Sequence, residues 1–327
     1  MAAGPASAVT SVCPAGWVGN DDTGGDTMTV LRIAVAQPVL SDGERDANLD
    51  CIRDLVAAHG AHHDILVLPE TCTSGFASRE DVERLAEAAD GPTLREWQAL
   101  AARHDLLIAG GLAERTSEGL YNSQFLVDGT GIVGHYRKTH LWLGDRDKFH
   151  PGSWLRTCVW RGVRLGQLIC FDIEFPDAAR AIADAGAELL LVSNGNMEPY
   201  GHVHRNAALA RAQDNQIFVA MANRTGPGRL EHFAGGSIVA DPWGRALAEA
   251  GSGPSVLSVT IDTAAIAEAR APYHYRALRR DDLAATASGV ISARETKTDV
   301  PGDRSTAQAA REGLIESRGR DRGSAGG

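Results

Sequence analysis

Residues 162–194 read GVRLGQLICFDIEFPDAARAIADAGAELLLVSN, and the order of patterns within them decides the fold class. The apolar run up to Cys170 predicts a strand over 162–172. Pro176 is placed to open a helix over 176–186, since proline lacks only an N–H that the first turn leaves unpaired. ELLLVSN then predicts a second strand over 188–194. Strand, helix, strand within so short a span is the signature of parallel strands joined by a crossover helix.

Working outward, the same alternation continues on both sides. Upstream, LRIAVAQ (31–37) predicts a strand, and Leu49, Ile52, Leu55 and Val56 share one face of a helix that Gly60 can stop. DILVLPE (64–70) is a strand, followed by a loop and helices near 78–88 and 93–104. Strands follow at 106–114 and 123–129, the latter forming a hairpin with 131–138. Downstream come a helix at 203–215, a strand at 217–223 and another within GGSIVADPWG (235–244). The runs 31–37, 64–69, 188–193 and 217–222 are apolar almost throughout, as strands covered on both faces should be. A layered α/β protein, or two sheets packed inside helical layers, follows.

The bulk numbers bound the function. In 327 residues the formal net charge is −10, which disfavours a nucleic-acid partner and favours a small-molecule substrate. No apolar stretch is long enough for a transmembrane helix. Five cysteines without a CxxC pair suggest neither a disulfide framework nor a zinc site, and fit a reducing cytoplasm. Residues 1–27 lack a secretory pattern and read as a disordered leader. Residues 28–285 read as one domain and 286–327 as a polar tail.

Three residues could carry chemistry. Cys170 sits where a strand turns toward a helix, a bend that can expose a nucleophile to neighbouring backbone N–H groups. An isolated Cys is more often buried and inert. Glu70 ends an apolar strand, where α/β active sites gather, and can act as a general base; a solvated strand-end carboxylate is its bland alternative. Lys138, in HYRKTHLW, can stabilise an oxyanion or a thiolate, although one of a basic pair usually lies on the surface. His135, His140, His150, His202 and His204 cluster near these words, but no metal-ligand spacing such as HExxH is present.

Taken together, LVLPE, YRKTHLW with FHPG, GQLICFDIEFPD, ARAQDN (210–215), ANRTG (222–226) and GGSIVADPWG resemble the nitrilase superfamily of carbon–nitrogen hydrolases over about residues 31–284. The resemblance implies a four-layer αββα sandwich, a homodimer or higher homo-oligomer whose C-terminal tail can cross to the partner subunit, and no metal or organic cofactor. It implies Glu70 as base, Lys138 as stabiliser of the tetrahedral intermediate and Cys170 as nucleophile, with the Phe171 N–H helping to hold the oxyanion. The family's second acid is commonly Glu; here Asp145 is the best match and Asp147 the next.

The resemblance also narrows the reaction. Nitrilases usually carry Trp-Glu after the cysteine, whereas Phe171 and Asp172 match the amidase and carbamoylase branches. CFDIEFPD and NMEPYG are similar to the branch of R-stereoselective amidases. Hydrolysis of a small carboxamide is implied, with N-carbamoyl amino acid hydrolysis, nitrile hydrolysis or acyl transfer as alternatives. By the same analogy Asn196, Met197, Glu198, Tyr200 and His202 or His204 line the substrate pocket, with Tyr121 also a substrate-binding candidate. Tyr121 and Asn122 can equally support the scaffold, as can Arg211, Asp214 and Asn215.

Overall fold

A computed structural model describes residues 29–280; the expected leader and tail lie outside the described residues. The chain forms two six-stranded mixed sheets. The first holds β1 (Val30–Gln37), β2 (Ile65–Val67), β3 (Leu107–Arg115), β4 (Leu120–Asp128) and β5 (Gly131–Arg137). The second holds β6 (Thr157–Trp160), β7 (Val163–Ile169), β8 (Leu189–Ser193), β9 (Phe218–Ala222), β12 (Ile238–Ala240) and β13 (Ala246–Glu249), while β10 (Thr225–Pro227) and β11 (His232–Ala234) make a separate ribbon. β14 (Ser255–Asp262) returns to the first sheet, pairing antiparallel along the full length of β1.

Each sheet is built on three parallel strands: β1, β2 and β3 in one, β7, β8 and β9 in the other. Their side chains explain the unbroken apolar runs. Ile33, Val35, Ile65 and Val67 face Leu165, Leu189, Leu191, Phe218 and Ala220 of the opposite sheet. Alternate residues Ala34, Ala36, Leu66 and Leu68 face outward, against Leu49, Ile52 and Val56 of α1 (Arg45–His59) and Leu94, Trp97 and Ala101 of α3 (Pro92–His104). Each fully buried Leu, Ile or Val contributes about 1.5–3 kcal/mol.

The second sheet is covered on its outer face by Ala178, Ala179, Ile182 and Ala183 of α4 (Pro176–Asp184) and Ala207, Ala208 and Ala212 of α5 (Gly201–Asn215). The order is therefore helix, sheet, sheet, helix, the αββα sandwich. Pro176 occupies the first turn of α4, as its sequence position implied.

Several boundaries differ from the sequence reading. The strand through Cys170 ends at Ile169, because residues 170–174 wind into a 3-10 turn. The helix expected over 78–88 is α2 (Arg79–Leu85), capped by the Ser78 hydroxyl on the Asp81 N–H at 3.2 Å. Only Ile238–Ala240 of 235–244 is strand, since Gly235, Gly236 and Gly244 take positive φ. β6, β13, β14, α6 (Ala264–Arg270) and α7 (Tyr275–Leu278) lie in segments where the sequence reading assigned no element.

Candidate active site

The first sheet delivers a carboxylate. Beyond β2 the chain runs through Leu68 and Pro69 into a turn at Glu70, and Thr71 adopts φ 41°. Positive φ in a β-branched residue is costly and marks a bend held in place by its surroundings. Gly111 of β3 makes room: a Cβ there would sit 2.6 Å from the Thr71 nitrogen and 2.9 Å from the Glu70 Cα. The Glu70 N–H donates to the Asn194 carbonyl at 3.1 Å, and the Ser193 hydroxyl donates to the Leu68 carbonyl at 2.8 Å. The central strands of the two sheets are thus tied to each other at their C-terminal ends.

The end of β5 delivers an ammonium. Strand alternation separates two neighbouring cations. Arg137 turns to Glu114 in a two-pronged pair at 2.7 and 2.8 Å, while Lys138 turns inward and is 1% exposed. Its Nζ donates to Glu70 Oε1 and to Asp145 Oδ2, each at 2.6 Å. Burial alone would lower the pKa of Lys138, but Asp145 and Glu70 outweigh it and hold the value well above the usual range. The side chain stays an ammonium. Asp145, the last residue of a 3-10 turn, also accepts from the Trp142 N–H at 3.3 Å; the shorter side chain therefore reaches Lys138.

The second sheet delivers the thiol. Cys170 follows β7 directly with φ 46°, so the residue at the elbow carries a conformation usually left to glycine. Buried Asp172 fixes this bend by accepting from the Ile169 N–H at 3.1 Å, the Tyr136 hydroxyl at 2.8 Å, and the His140 N–H at 2.8 Å. Burial pushes the Cys170 thiol well above its ordinary pKa and the Glu70 carboxylate adds to the rise; Lys138 and the Gly195 N–H oppose it without prevailing. At neutral pH the sulfur is a thiol, so attack needs a base.

Glu70 keeps one carboxylate oxygen unengaged. Its Oε1 accepts from Lys138 and, at 2.7 Å, from the Asn122 amide, whereas Oε2 is buried with no hydrogen-bond partner. A Cβ on Gly195 would meet Oε2 at 2.5 Å. Glycine is required there for the carboxylate to lie alongside the backbone that points at the sulfur.

A cavity of about 140 Å³ opens onto Lys138 and Cys170, with Glu70 and Asp145 behind the lysine and outside the lining; Gly195, Asn196 and His204 wall it and Phe76, Trp142, Phe171, Glu174, Met197, Tyr200 and Val203 complete it. Of the residues expected to touch substrate, Asn196, Met197, Tyr200 and His204 lie in the wall. Asn196 is itself committed to the loop, donating to the Tyr200 carbonyl at 2.8 Å.

Tyr121, Glu198 and His202 do not line this cavity. Tyr121 packs beneath the Arg137 guanidinium, 4.0 Å from its ring; its strand neighbour Asn122 points the opposite way and holds Glu70. Glu198 and His202 are exposed. His202 lies on the outer side of α5, two residues from His204, which is on the buried side. Glu174, Asn194, Gly195, Phe76, Trp142 and Val203 received no site role from the sequence, although Trp142 and Glu174 fall within motif words. Among the described residues no group of three or more His, Cys, Asp or Glu is placed to hold a metal ion.

The chain matches the carbon-nitrogen hydrolase family model over residues 32–271. An (R)-stereoselective amidase from a Pseudomonas species is 43% identical over 251 residues, 76% of this chain and 92% of that protein. A 2-oxoglutaramate amidase from Bacillus subtilis is 34% identical, covering 73% of this chain and 93% of that one. Among solved structures, a carbon–nitrogen hydrolase superfamily protein from Xanthomonas campestris with an arsenic adduct in its active site superposes with a TM-score of 0.71 at 31% identity, covering 75% and 95% of the two chains. An amidase from Nesterenkonia, seen with the acetamide moiety of fluoroacetamide added to its active-site cysteine, gives 0.68 at 27% identity, covering 79% and 97%. A buried lysine and an elbow cysteine lining one cavity, with a strand-end carboxylate bonded to the lysine, in a fold shared with these enzymes, accord with a match across most of the chain: the protein belongs to the carbon–nitrogen hydrolase family.

Proposed function

We propose that the protein hydrolyses a small carboxamide through a cysteine thioester, with Cys170, Glu70 and Lys138 as a catalytic triad in a domain spanning residues 28–285. The carrying observation is the Lys138–Glu70 contact at 2.6 Å, buried beside a thiol held at positive φ in the cavity wall. Amidase activity in relatives covering most of the chain supports the same reading.

Each proton has a place. Glu70 takes the thiol proton as sulfur adds to the carbonyl carbon, and the Lys138 ammonium with the Phe171 N–H stabilises the oxyanion. The carbonyl re-forms as the C–N bond breaks, and Glu70 returns its proton to the departing nitrogen, releasing ammonia or an amine. Glu70 then deprotonates water, which adds to the thioester. Collapse of that adduct releases the acid, and the proton on Glu70 passes back to sulfur. Asp145 positions Lys138 by holding its second N–H, while the wall that carries Phe171, Met197, Tyr200 and Asn196 bounds the acyl group.

The same reading places the enzyme in the cytoplasm as a homodimer or higher homo-oligomer. Cys51, Cys72, Cys158 and Cys170 are unpaired, as suits a reducing compartment. Tyr273 and Leu278 present exposed apolar surface, 50% and 68%, of the kind that subunit interfaces cover.

The test is ammonia release across aliphatic amides, amino-acid amides, N-carbamoyl amino acids and nitriles, with Cys170→Ala as background. Turnover of amides with a thioester mass adduct on Cys170 is expected. Full turnover by Cys170→Ala would overturn the assignment, and preferential release from nitriles or ureido compounds would redirect it.

A further inference from the structure

We propose that Glu174 is a specificity-determining residue which selects amides carrying a protonated amine close to the scissile carbonyl; this rests on the hydrolase reading above. Cys170 and Glu174 stand at the two ends of one 3-10 turn (Cys170–Glu174) and both line the cavity. At a rise of about 2 Å per residue, the turn separates their Cα atoms by about 8 Å. A short amino amide spans that interval.

The carboxylate is held for use from one side only. Glu174 Oε1 lies 2.9 Å from His204 Nε2, while no hydrogen bond is made to Oε2 among the described residues, and the side chain is 30% exposed. His204 is anchored behind it. Its Nδ1 lies 2.8 Å from Asn194 Oδ1, an oxygen that already accepts the Gly195 N–H at 3.0 Å. Nδ1 must therefore be the donor, and the contact between Nε2 and Oε1 needs a proton of its own. That contact engages Oε1 and leaves Oε2 unengaged on a residue that lines the cavity.

The remaining charges favour a cation. Lys138 is the only Lys or Arg among the cavity residues, and its ammonium is shared between two carboxylates, Glu70 and Asp145, which leaves one negative charge in excess. An amide bearing a carboxylate would meet that excess with no free Lys or Arg among the described cavity residues to receive it. An ammonium would meet Oε2 and the faces of Trp142, Phe171 and Tyr200, which stack edge to face at 5.2 and 6.1 Å; aromatic faces attract cations.

The experiment compares alaninamide, its uncharged analogue propionamide and the anionic succinamate in the full chain and in Glu174→Gln, with Cys170→Ala as blank. Alaninamide should exceed propionamide at least tenfold in kcat/KM, with succinamate poorest, and Glu174→Gln should shrink that ratio at least tenfold through KM. No preference for alaninamide in the unaltered protein would overturn the proposal, as would a preference that survives Glu174→Gln or an equal loss on both amides. Calorimetric binding of the same amides to Cys170→Ala and to Cys170→Ala/Glu174→Gln separates the two readings. Absence of turnover on every amide sinks the hydrolase reading, whereas equal binding of alaninamide and propionamide sinks the role of Glu174.

Discussion

The side-chain amide of Asn122 and the ammonium of Lys138 converge on one oxygen of Glu70, at 2.7 and 2.6 Å, and leave the other oxygen unpartnered. The carboxylate is thereby pinned at one atom and available at the second. Asn122→Ala removes a buried hydrogen bond to a charged group, an interaction of about 1.5–3 kcal/mol. The expected result is a tenfold or greater fall in kcat/KM with the fold retained by circular dichroism. Unchanged kinetics would show that Lys138 alone orients the base.

Asp145 is the second partner of the buried ammonium. Removing one member of a buried pair costs 3–5 kcal/mol when the other is left alone. Lys138 keeps Glu70, so Asp145→Ala should cost about 3 kcal/mol in chemical denaturation. Activity should fall by about a hundredfold as Lys138 swings toward Glu70. Asp145→Glu tests reach, and recovery of most of the lost activity relative to Asp145→Ala is expected.

The raised pKa of Cys170 has a defined sign. The folded protein holds the thiol proton more tightly than the unfolded chain, whose Cys titrates near about 8.5. The resulting stabilisation is fully present below that value and is lost as pH rises through the folded one. Denaturation midpoints of the unaltered protein should decline above about pH 8.5 more steeply than those of Cys170→Ala. Burial raises Cys72 in the same direction, so part of the slope persists in the variant. Coincident slopes would rule out an elevated thiol.

Glu114 carries the opposite sign. Its burial would raise it, but hydrogen bonds from Arg137, His135 and Ser123 pull it down to about 2. The stabilisation is present above the unfolded carboxylate range, near about 4.3, and is lost as pH falls through about 2. Glu114→Gln should lower stability at neutral pH by about 3 kcal/mol or less and flatten the acid limb. An unaltered acid limb would contradict the pairing.

Glu70 and Cys170 stand out in the sequence because each closes an apolar run, and Lys138 because it lies in a recognisable word; the Lys138–Glu70 contact is what the fold adds. The layered architecture was legible for a related reason: strands covered on both faces cannot alternate polar and apolar residues. What escaped depends on rotation and contact. His204 rather than His202 faces inward because α5 begins at Gly201, and the buried set His204, Ala207, Ala208, Arg211, Ala212 and Asn215 has the helical spacing that fixes its phase. Tyr121 lies under Arg137 and Asn122 holds Glu70 because adjacent strand residues point to opposite faces. β14 is a half-exposed edge strand whose weak pattern gains meaning only beside β1. Glu174 gains its place from the cavity that loops from both halves of the chain enclose.

The ties between the two central strands, from the Glu70 N–H to Asn194 and from Ser193 to Leu68, imply that turnover is withheld during biogenesis. Glu70, proposed above as the base, is carried by the first half of the chain and Cys170 by the second, so a nascent or half-folded copy has its thiol and this carboxylate apart. Turnover, unlike the ordinary reactivity of an exposed thiol, waits until the sheets close. Loss of turnover on heating should therefore coincide with separation of the layers, and enzymatic assay becomes a readout of completed folding.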